Sequence, residues 1–325
     1  MEKELVPQAG YAFTVVRIRG FTRQLGLSTA RTLGSLPLAA VDAWKLLRKF
    51  RPACVVGVGA YASGPVVAEA ALRRTPSVAV EMDSRMGWTN RILSLLVDRV
   101  CLSFPDPKRM GGKYVYTGRP LRPALLAATR EEGIARFHLS LDRPTVLVFG
   151  GSLGARSLNE ATLAAFGRTP TPFQIVHVTG EREYPRVAAV LEGPDANPGY
   201  QAAPFLEDFP LALAAADAVV GRAGGSVAEV LARGIPALLV PYPLAAGDHQ
   251  TTNARVVADE GAALLMADHD LNPERLTRAV ETLLDPEVNR RMRENALRLA
   301  RPDAASRIAD VIVELMTLPR GSHHD

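Results

Sequence analysis

The chain has only two cysteines among 325 residues, Cys54 and Cys101, set in separate apolar stretches without Cys-x-x-Cys spacing or neighbouring histidines. That excludes a disulfide framework and a zinc-finger site, and leaves two reduced thiols packed as small hydrophobes, the pattern of a cytoplasmic protein. Long hydrophobic runs are lacking too: no stretch approaches the ~20 apolar residues of a membrane span. The charged start, Met1 to Leu5, is not followed by an apolar core, so no secretory signal is read there. Aromatic residues are 6%, and zinc-finger spacing, an RNP-like aromatic strand and a strongly basic recognition helix are all missing, which excludes the common nucleic-acid-binding modules. The excess of cations is small, +4. It suits an anionic lipid surface or a phosphate-bearing ligand.

Hydrophobic residues at 47% and charged residues at 22% give the balance of a globular chain, and the length predicts two domains. Short β-branched runs alternate with longer Ala/Leu/Arg segments of helical period, which predicts an α/β protein with doubly wound parallel sheets. In the first half strands are expected at 13–18, 54–58, 77–81, 99–103 and 113–117, with helices at 32–50, 64–73 and 89–96. Early prolines and a charged helix between Gly118 and Pro144 mark the joint. Beyond it strands are expected at 145–149, 174–179, 218–220 and 237–240, with helices after Ser157, Ser226 and Gln250 and at 273–284 and 287–299. The helix 304–317 is amphipathic, with Ile308, Val311, Ile312 and Leu315 on one face, and 318–325 reads as a frayed tail resembling a cloning remnant.

Three segments carry chemistry. The strand 145–149 runs into Gly150-Gly151-Ser152-Leu153-Gly154-Ala155 and then a helix, which gathers backbone N–H groups and a helix dipole where a phosphate can sit. A tight βα turn without a ligand explains the same residues. The segment is neither a P-loop nor a complete Gly-x-Gly-x-x-Gly fingerprint. Gly221-Arg222-Ala223-Gly224-Gly225-Ser226 follows the strand 218–220 in the same manner, with Glu229 one turn into the next helix. A carboxylate there can accept both ribose hydroxyls, or serve as an ordinary first-turn acid favoured by the dipole. The third segment runs from Pro241 to Ala254, where Asp248 reads as a ligand or an N-cap and Gln250 and Asn253 share a helix face.

Together with Gly57 to Pro65, Glu81 with Gly87-Trp88-Thr89-Asn90, and Gly118-Arg119-Pro120-Leu121-Arg122, these segments resemble the MurG family of peptidoglycan N-acetylglucosaminyltransferases over about Met1 to Leu315. The resemblance implies a GT-B fold: two Rossmann-like domains facing a central cleft, an acceptor domain over 1–122 completed by helix 304–317, a linker over 123–143 and a donor domain over 144–300. It implies transfer of N-acetylglucosamine from UDP-N-acetylglucosamine to the C4 hydroxyl of the lipid-linked muramyl-pentapeptide. The anomeric centre is inverted without a metal or other cofactor, at the cytoplasmic face of the cell membrane. Carried over, the pattern puts Ser152 and its glycines on the donor diphosphate. Gly224, Gly225, Ser226 and Glu229 fall on phosphate and ribose, Leu206 on uracil, Gln250 on the sugar, Arg122 near the donor, and Asp83 where relatives often have Asn.

Relatives open with a Gly-rich, His-bearing loop that carries the proposed base, and this chain has no such segment. The catalytic residue is therefore unassigned, the first lobe is expected to lack its first β-α unit, and a misassigned start or truncated gene is the favoured explanation. Met82, where relatives often carry Gln, and a shortened Arg222 to Glu229 segment are further departures. Leu33, Leu36, Pro37, Leu38, Val41 and Trp44, beside Lys45, Arg48, Lys49 and Arg51, form an apolar stripe next to cations. It reads as a core-packed helix with snorkelling cations or, with Ile92 to Leu96, as the patch that docks on an anionic inner leaflet. A catalytically inert nucleotide-sugar binder, another GT-B enzyme and a UDP-sugar epimerase remain as alternatives.

Overall fold

The computed structural model describes residues 2–18, 27–106, 108–151 and 154–317. Two separate parallel sheets form, as the alternation of strands and helices predicts. The first sheet holds β1 (Val55–Gly57), β2 (Ser77–Glu81), β3 (Arg99–Leu102) and β4 (Tyr114–Tyr116) in that order. The second has the order β10-β9-β8-β5-β6-β7, built from β5 (Thr145–Phe149), β6 (Gln174–Val178), β7 (Tyr200–Ala203), β8 (Ala218–Gly221), β9 (Ala237–Leu239) and β10 (Ala263–Leu265). β7 and β10 were not expected from the sequence: they are short edge strands, and Tyr200-Gln201-Ala202-Ala203 carries no β-branched residue to mark it.

Helices cover both faces of the second sheet, so its central strands are buried without alternation: every residue of β5, β6, β8 and β9 is buried. One core, around Leu147, Phe149, Leu213, Val219 and Val257, lies on one side; another, around Val146, Val148, Leu158, Ile175, Leu276 and Leu283, lies on the other. The segment expected as a strand at 13–18 is not one. Its backbone joins no ladder. Instead the Arg17 amide and guanidinium bond Asp42 at 2.6–3.1 Å on the helix Leu27–Phe50, and these bonds hold the Asp42 carboxyl down at about 2.

Within residues 123–143 lie two short helices, Pro123–Ala127 and Arg130–Arg136. Thr129 and Glu132 form a capping box on the helix Arg130–Arg136, and Gly133 approaches the next layer so closely that an added Cβ would lie 2.3 Å from the Leu211 carbonyl oxygen. The last helix, Ala304–Thr317, crosses back to the first lobe, where Ile308, Val311 and Leu315 pack on Val78, Val80 and Cys101. Both cysteines are free thiols, and burial pushes Cys101 up to about 11.

Below the second sheet's carboxyl edge lies a buried polar chain. His177 bonds the Tyr200 hydroxyl at 2.7 Å through Nδ1 and Asn159 Oδ1 at 2.9 Å through Nε2, while Asn159 Nδ2 donates to the Thr179 carbonyl at 2.8 Å. Because Asn159 presents its oxygen, Nε2 carries the proton and Nδ1 accepts from Tyr200. Burial keeps the ring neutral, with its pKa pushed down to about 3. The unfolded chain binds a proton that the folded chain refuses as pH falls from the ordinary value of 6.5 towards 3, so stability declines over that window by up to about 1.4 kcal/mol per pH unit. Urea midpoints measured from pH 7 to 4 are expected to show this slope in the parent and a shallower one in His177→Gln. Parallel slopes would remove His177 as its source.

Candidate functional site

The second sheet changes direction between β5 and β8. From β5 the chain winds outward through β6 and β7; it then returns to place β8 on the other side of β5 and winds outward through β9 and β10. Helices leaving β5 and β8 therefore diverge, and a crevice opens at the carboxyl ends of these two strands, where open α/β sheets bind ligands. Phe149 and Gly221 are register partners across the pair. Each is followed at once by one of the glycine turns found in the sequence.

In the first turn Gly151 and Gly154 have φ of 88° and 73°, and the Gly154 amide donates to the Gly151 carbonyl at 2.9 Å. A Cβ on Gly150 would stand 2.3 Å from the Ala155 nitrogen, and one on Gly154 would stand 2.2 Å from the Thr179 carbonyl oxygen. The helix Arg156–Phe166 then starts without a side-chain cap, leaving its first N–H groups to an external acceptor. Ser152, expected on the diphosphate, lies outside the described residues, as does Leu153.

The second turn is braced from beneath by Arg222, a role that the sequence did not reveal. Its buried guanidinium donates to the carbonyls of Val240 and Pro241 at 3.0 and 3.1 Å, to Asp268 Oδ1 at 2.5 Å and to Ser157 Oγ at 2.9 Å, and lies over the Tyr242 ring. One side chain thus ties together the second turn, the start of the helix behind the first, and the loop leading to Gln250. The only signal was an arginine inside a glycine turn directly after a buried strand; Asp268, its counter-charge, is remote in sequence.

Gly224, Gly225, Ser226 and Glu229 come together at the start of the helix Ser226–Ala232. Glu229 Oε1 lies 3.4 Å from Arg122 Nη2, so two residues expected at the donor meet across the joint. Arg119 sits against the Cα of Gly225, where an added Cβ would be 2.5 Å from its Nη2, and donates to the Met82 carbonyl at 3.2 Å. Gln250 accepts from the Tyr242 amide at 2.9 Å and turns its Nε2 towards Gly224. Leu206 follows β7 at the same edge of the sheet, half-buried on the core.

From the first lobe, Asp83 and Ser84 reach the buried Asn253, and Arg85 Nη1 donates to the Gly247 carbonyl at 2.6 Å. Asn253 is thus a contact between lobes rather than a partner of Gln250 on one open face. Asp248 stands in the left-handed region with φ 58° and makes no side-chain cap, so the N-cap reading fails. Glu81 is likewise a brace: it accepts from the Asp83 and Gly87 amides and from Asn90 Nδ2 at 2.9–3.1 Å. Among the described residues, no group of three or more His, Cys, Asp or Glu is placed to hold a metal ion.

On the outer side of the first lobe, the helix Leu27–Phe50 packs on Ala60–Leu72, which packs on Trp88–Leu93. Ala39, Ala43 and Leu47 face inward, whereas Leu38, Val41 and Trp44 are exposed, so these three do not form a core stripe. Trp88, Ile92 and Leu95 are exposed as well, at 59–79%. Leu33 and Leu36 lie outside the described side chains. No helix of the described residues is long and apolar enough to cross a membrane.

Two Rossmann-like lobes meeting over a switch-point crevice define a GT-B architecture. Residues 1–102 match the N-terminal domain of glycosyltransferase family 28 and residues 145–308 its C-terminal domain. The chain belongs to glycosyltransferase family 28. It is 36% identical over 325 residues to a Halothermothrix orenii protein named UDP-N-acetylglucosamine--N-acetylmuramyl-(pentapeptide) pyrophosphoryl-undecaprenol N-acetylglucosamine transferase, covering 96% of this chain and 88% of that one. A protein of the same name from Desulfitobacterium hafniense is 38% identical over 324 residues, at 97% and 88% coverage. The crystal structure of Acinetobacter baumannii MurG superposes with a TM-score of 0.79 at 29% identity, covering 97% of this chain and 88% of that one. A UDP-GlcNAc 2-epimerase from Neisseria meningitidis, with a TM-score of 0.63 at 15% identity over 90% of this chain and 83% of that one, shares the fold alone.

The two left-handed glycines separate strain from contact. Gly151→Ala meets open space and is expected to cost only the ~1–2 kcal/mol of a left-handed residue. Gly154→Ala must also displace the Thr179 carbonyl, and urea unfolding should show a clearly larger loss. Equal losses would mean that this close approach does not restrain the turn.

Proposed function

We propose that this chain transfers N-acetylglucosamine from UDP-N-acetylglucosamine to the C4 hydroxyl of a lipid-linked muramyl-pentapeptide, with inversion, at the cytoplasmic face of the membrane. The observation that carries the proposal is the meeting of both glycine turns, through the register pair Phe149 and Gly221, at the switch point of a family 28 donor lobe. The names of relatives at 36–38% identity support the substrates.

The departing diphosphate gains negative charge as the glycosidic bond breaks, and amides fixed beforehand in a turn stabilise that charge without reorganising. In this reading the Gly150 to Gly154 turn with Ser152, and Gly224, Gly225 and Ser226, hold the phosphates. Glu229 accepts the ribose hydroxyls, displacing Arg122, whose guanidinium is largely exposed and loses little in swinging from Glu229 to the diphosphate. Leu206 presents its backbone to uracil, while Gln250 and Asp83 approach the sugar from the two sides of the cleft.

The acceptor's lipid chain requires the first lobe to lie against the bilayer. Trp44, Trp88, Ile92 and Leu95, with Arg48 and Arg91 over the two tryptophan rings, suit an anionic interface. Each inserted apolar side chain contributes up to ~1.5–3 kcal/mol, and each cation near the surface about 1 kcal/mol.

Calorimetric titration of the folded protein with UDP is expected to show saturable binding, weakened about tenfold or more in Glu229→Ala, the worth of ~1.5–3 kcal/mol for hydrogen bonds to a charged group. Absence of heat from the folded parent would remove the donor assignment. Separately, the triple variant Trp44→Ser, Ile92→Ser, Leu95→Ser should lose co-sedimentation with anionic phospholipid vesicles and keep the parent's UDP affinity. Undiminished sedimentation would place the membrane contact elsewhere.

A further inference from the structure

Asn253 is a buried side chain that hydrogen-bonds both the donor turn and the opposite lobe. It is 1% exposed, and all of its hydrogen-bonding atoms are engaged. Nδ2 donates to the Ala223 carbonyl, immediately before Gly224, at 3.1 Å. The same nitrogen donates across the cleft to Asp83 Oδ1 at 3.1 Å, and Oδ1 accepts from the Ser84 amide at 2.7 Å. The residues it grips in the first lobe are themselves rigidly set: Glu81 holds the Asp83 amide, and the Met82 carbonyl receives Arg119, which rests on Gly225.

An amide is suited to this position because it offers a donor and an acceptor at once. Ser84 presents an N–H, Asp83 presents a carboxylate oxygen, and Ala223 presents a carbonyl oxygen. Neither an acid nor an aliphatic side chain satisfies all three. The buried Ser84 hydroxyl has no partner in this arrangement, so the closed contact is held by Asn253 and its neighbours rather than by a fully paired interface.

From this geometry we infer that Asn253 is a positioning residue that latches the acceptor lobe, through Asp83 and Ser84, onto the donor turn. By doing so it fixes the distance between the acceptor and the donor sugar. This rests on the reading of the cleft as the transferase site. Asn253 acts through Asp83 and the Ala223–Gly224 backbone, and displacing the lobes by even a small distance slows a reaction that depends on alignment.

An exchange of the pair tests the latch. In Asn253→Asp two carboxylates face each other, the bond to Ala223 is lost, and the acceptor for the Ser84 amide is kept. In Asn253→Asp with Asp83→Asn the cross-lobe bond returns with donor and acceptor reversed, whereas the bond to Ala223 stays lost. Transfer from UDP-N-acetylglucosamine to the lipid-linked acceptor is expected to fall by roughly tenfold or more in the single variant and to recover most of that loss in the double variant, the size of a coupling between residues in direct contact. Thermal melting of each variant checks that both are folded. A double variant as impaired as the single one, or a single variant as active as the parent, overturns the latch. An inactive parent that binds no UDP would instead overturn the reading of the cleft.

Discussion

The pairing of β5 with β8 is the constraint on which the rest of the donor lobe depends. These strands are the only neighbours in the second sheet whose connections leave in opposite directions, so their carboxyl ends are the one place along that edge where helices diverge instead of closing over the sheet. Helices cover both faces of the sheet here, so both strands are buried on both sides. That explains Thr145-Val146-Leu147-Val148-Phe149 and Ala218-Val219-Val220 as runs without polar alternation. The pairing also brings two chain reversals side by side in little space. Glycines solve the crowding at Gly150 and Gly154, and Arg222 fills the polar space underneath by satisfying two carbonyls, a hydroxyl and a carboxylate at once.

The lobes are joined covalently at two adjacent crossings. At the first, Gly118 takes a positive φ of 87° and lies so close to Arg301 at the second that a Cβ would meet its side chain at 2.4 Å. Arg301 stacks over the Tyr116 ring, and the Tyr116 hydroxyl donates to the Leu299 carbonyl. Both strands of the joint are therefore fastened together, and the contacts on the cleft side, from Asp83 to Arg85 against Gly247 to Asn253, are few and polar.

Much of this was legible in the sequence because parallel central strands and glycine turns write strong local signals. Strands 77–81 and 145–149 and helices 273–284 and 304–317 were read to the residue, since each is a continuous apolar run or a clean 3.6-residue period. The expected strand at 13–18 failed for a physical reason: alternation gives strand propensity, but a strand exists only where a partner accepts its ladder, and here Asp42 takes the Arg17 amide instead. The site residues were legible as motifs, yet their partnerships were not. Nothing local to Arg222 points to Asp268, and nothing local to Asn253 separates a ligand contact from a contact with the other lobe.

The helix Leu27–Phe50 shows how a sequence can be read correctly as apolar and still leave its purpose open. Among its described side chains, the apolar residues fall on two faces. Ala39, Ala43 and Leu47, spaced by four, provide a narrow strip that lets the helix lie close on its neighbour, while Leu38, Val41 and Trp44 point away from the protein. A helix that served only the core would put its large residues inward and its small ones outward, because large side chains gain most from burial. Leu47 follows that rule, but Ala39 and Ala43 take the inner face while Leu38, Val41 and Trp44 stay outward, with cations at Lys45, Arg48 and Lys49 beside the exposed face. On the proposed reading that arrangement follows from the substrates: a water-soluble nucleotide reaches the second lobe, and a lipid that never leaves the bilayer must be met by the first.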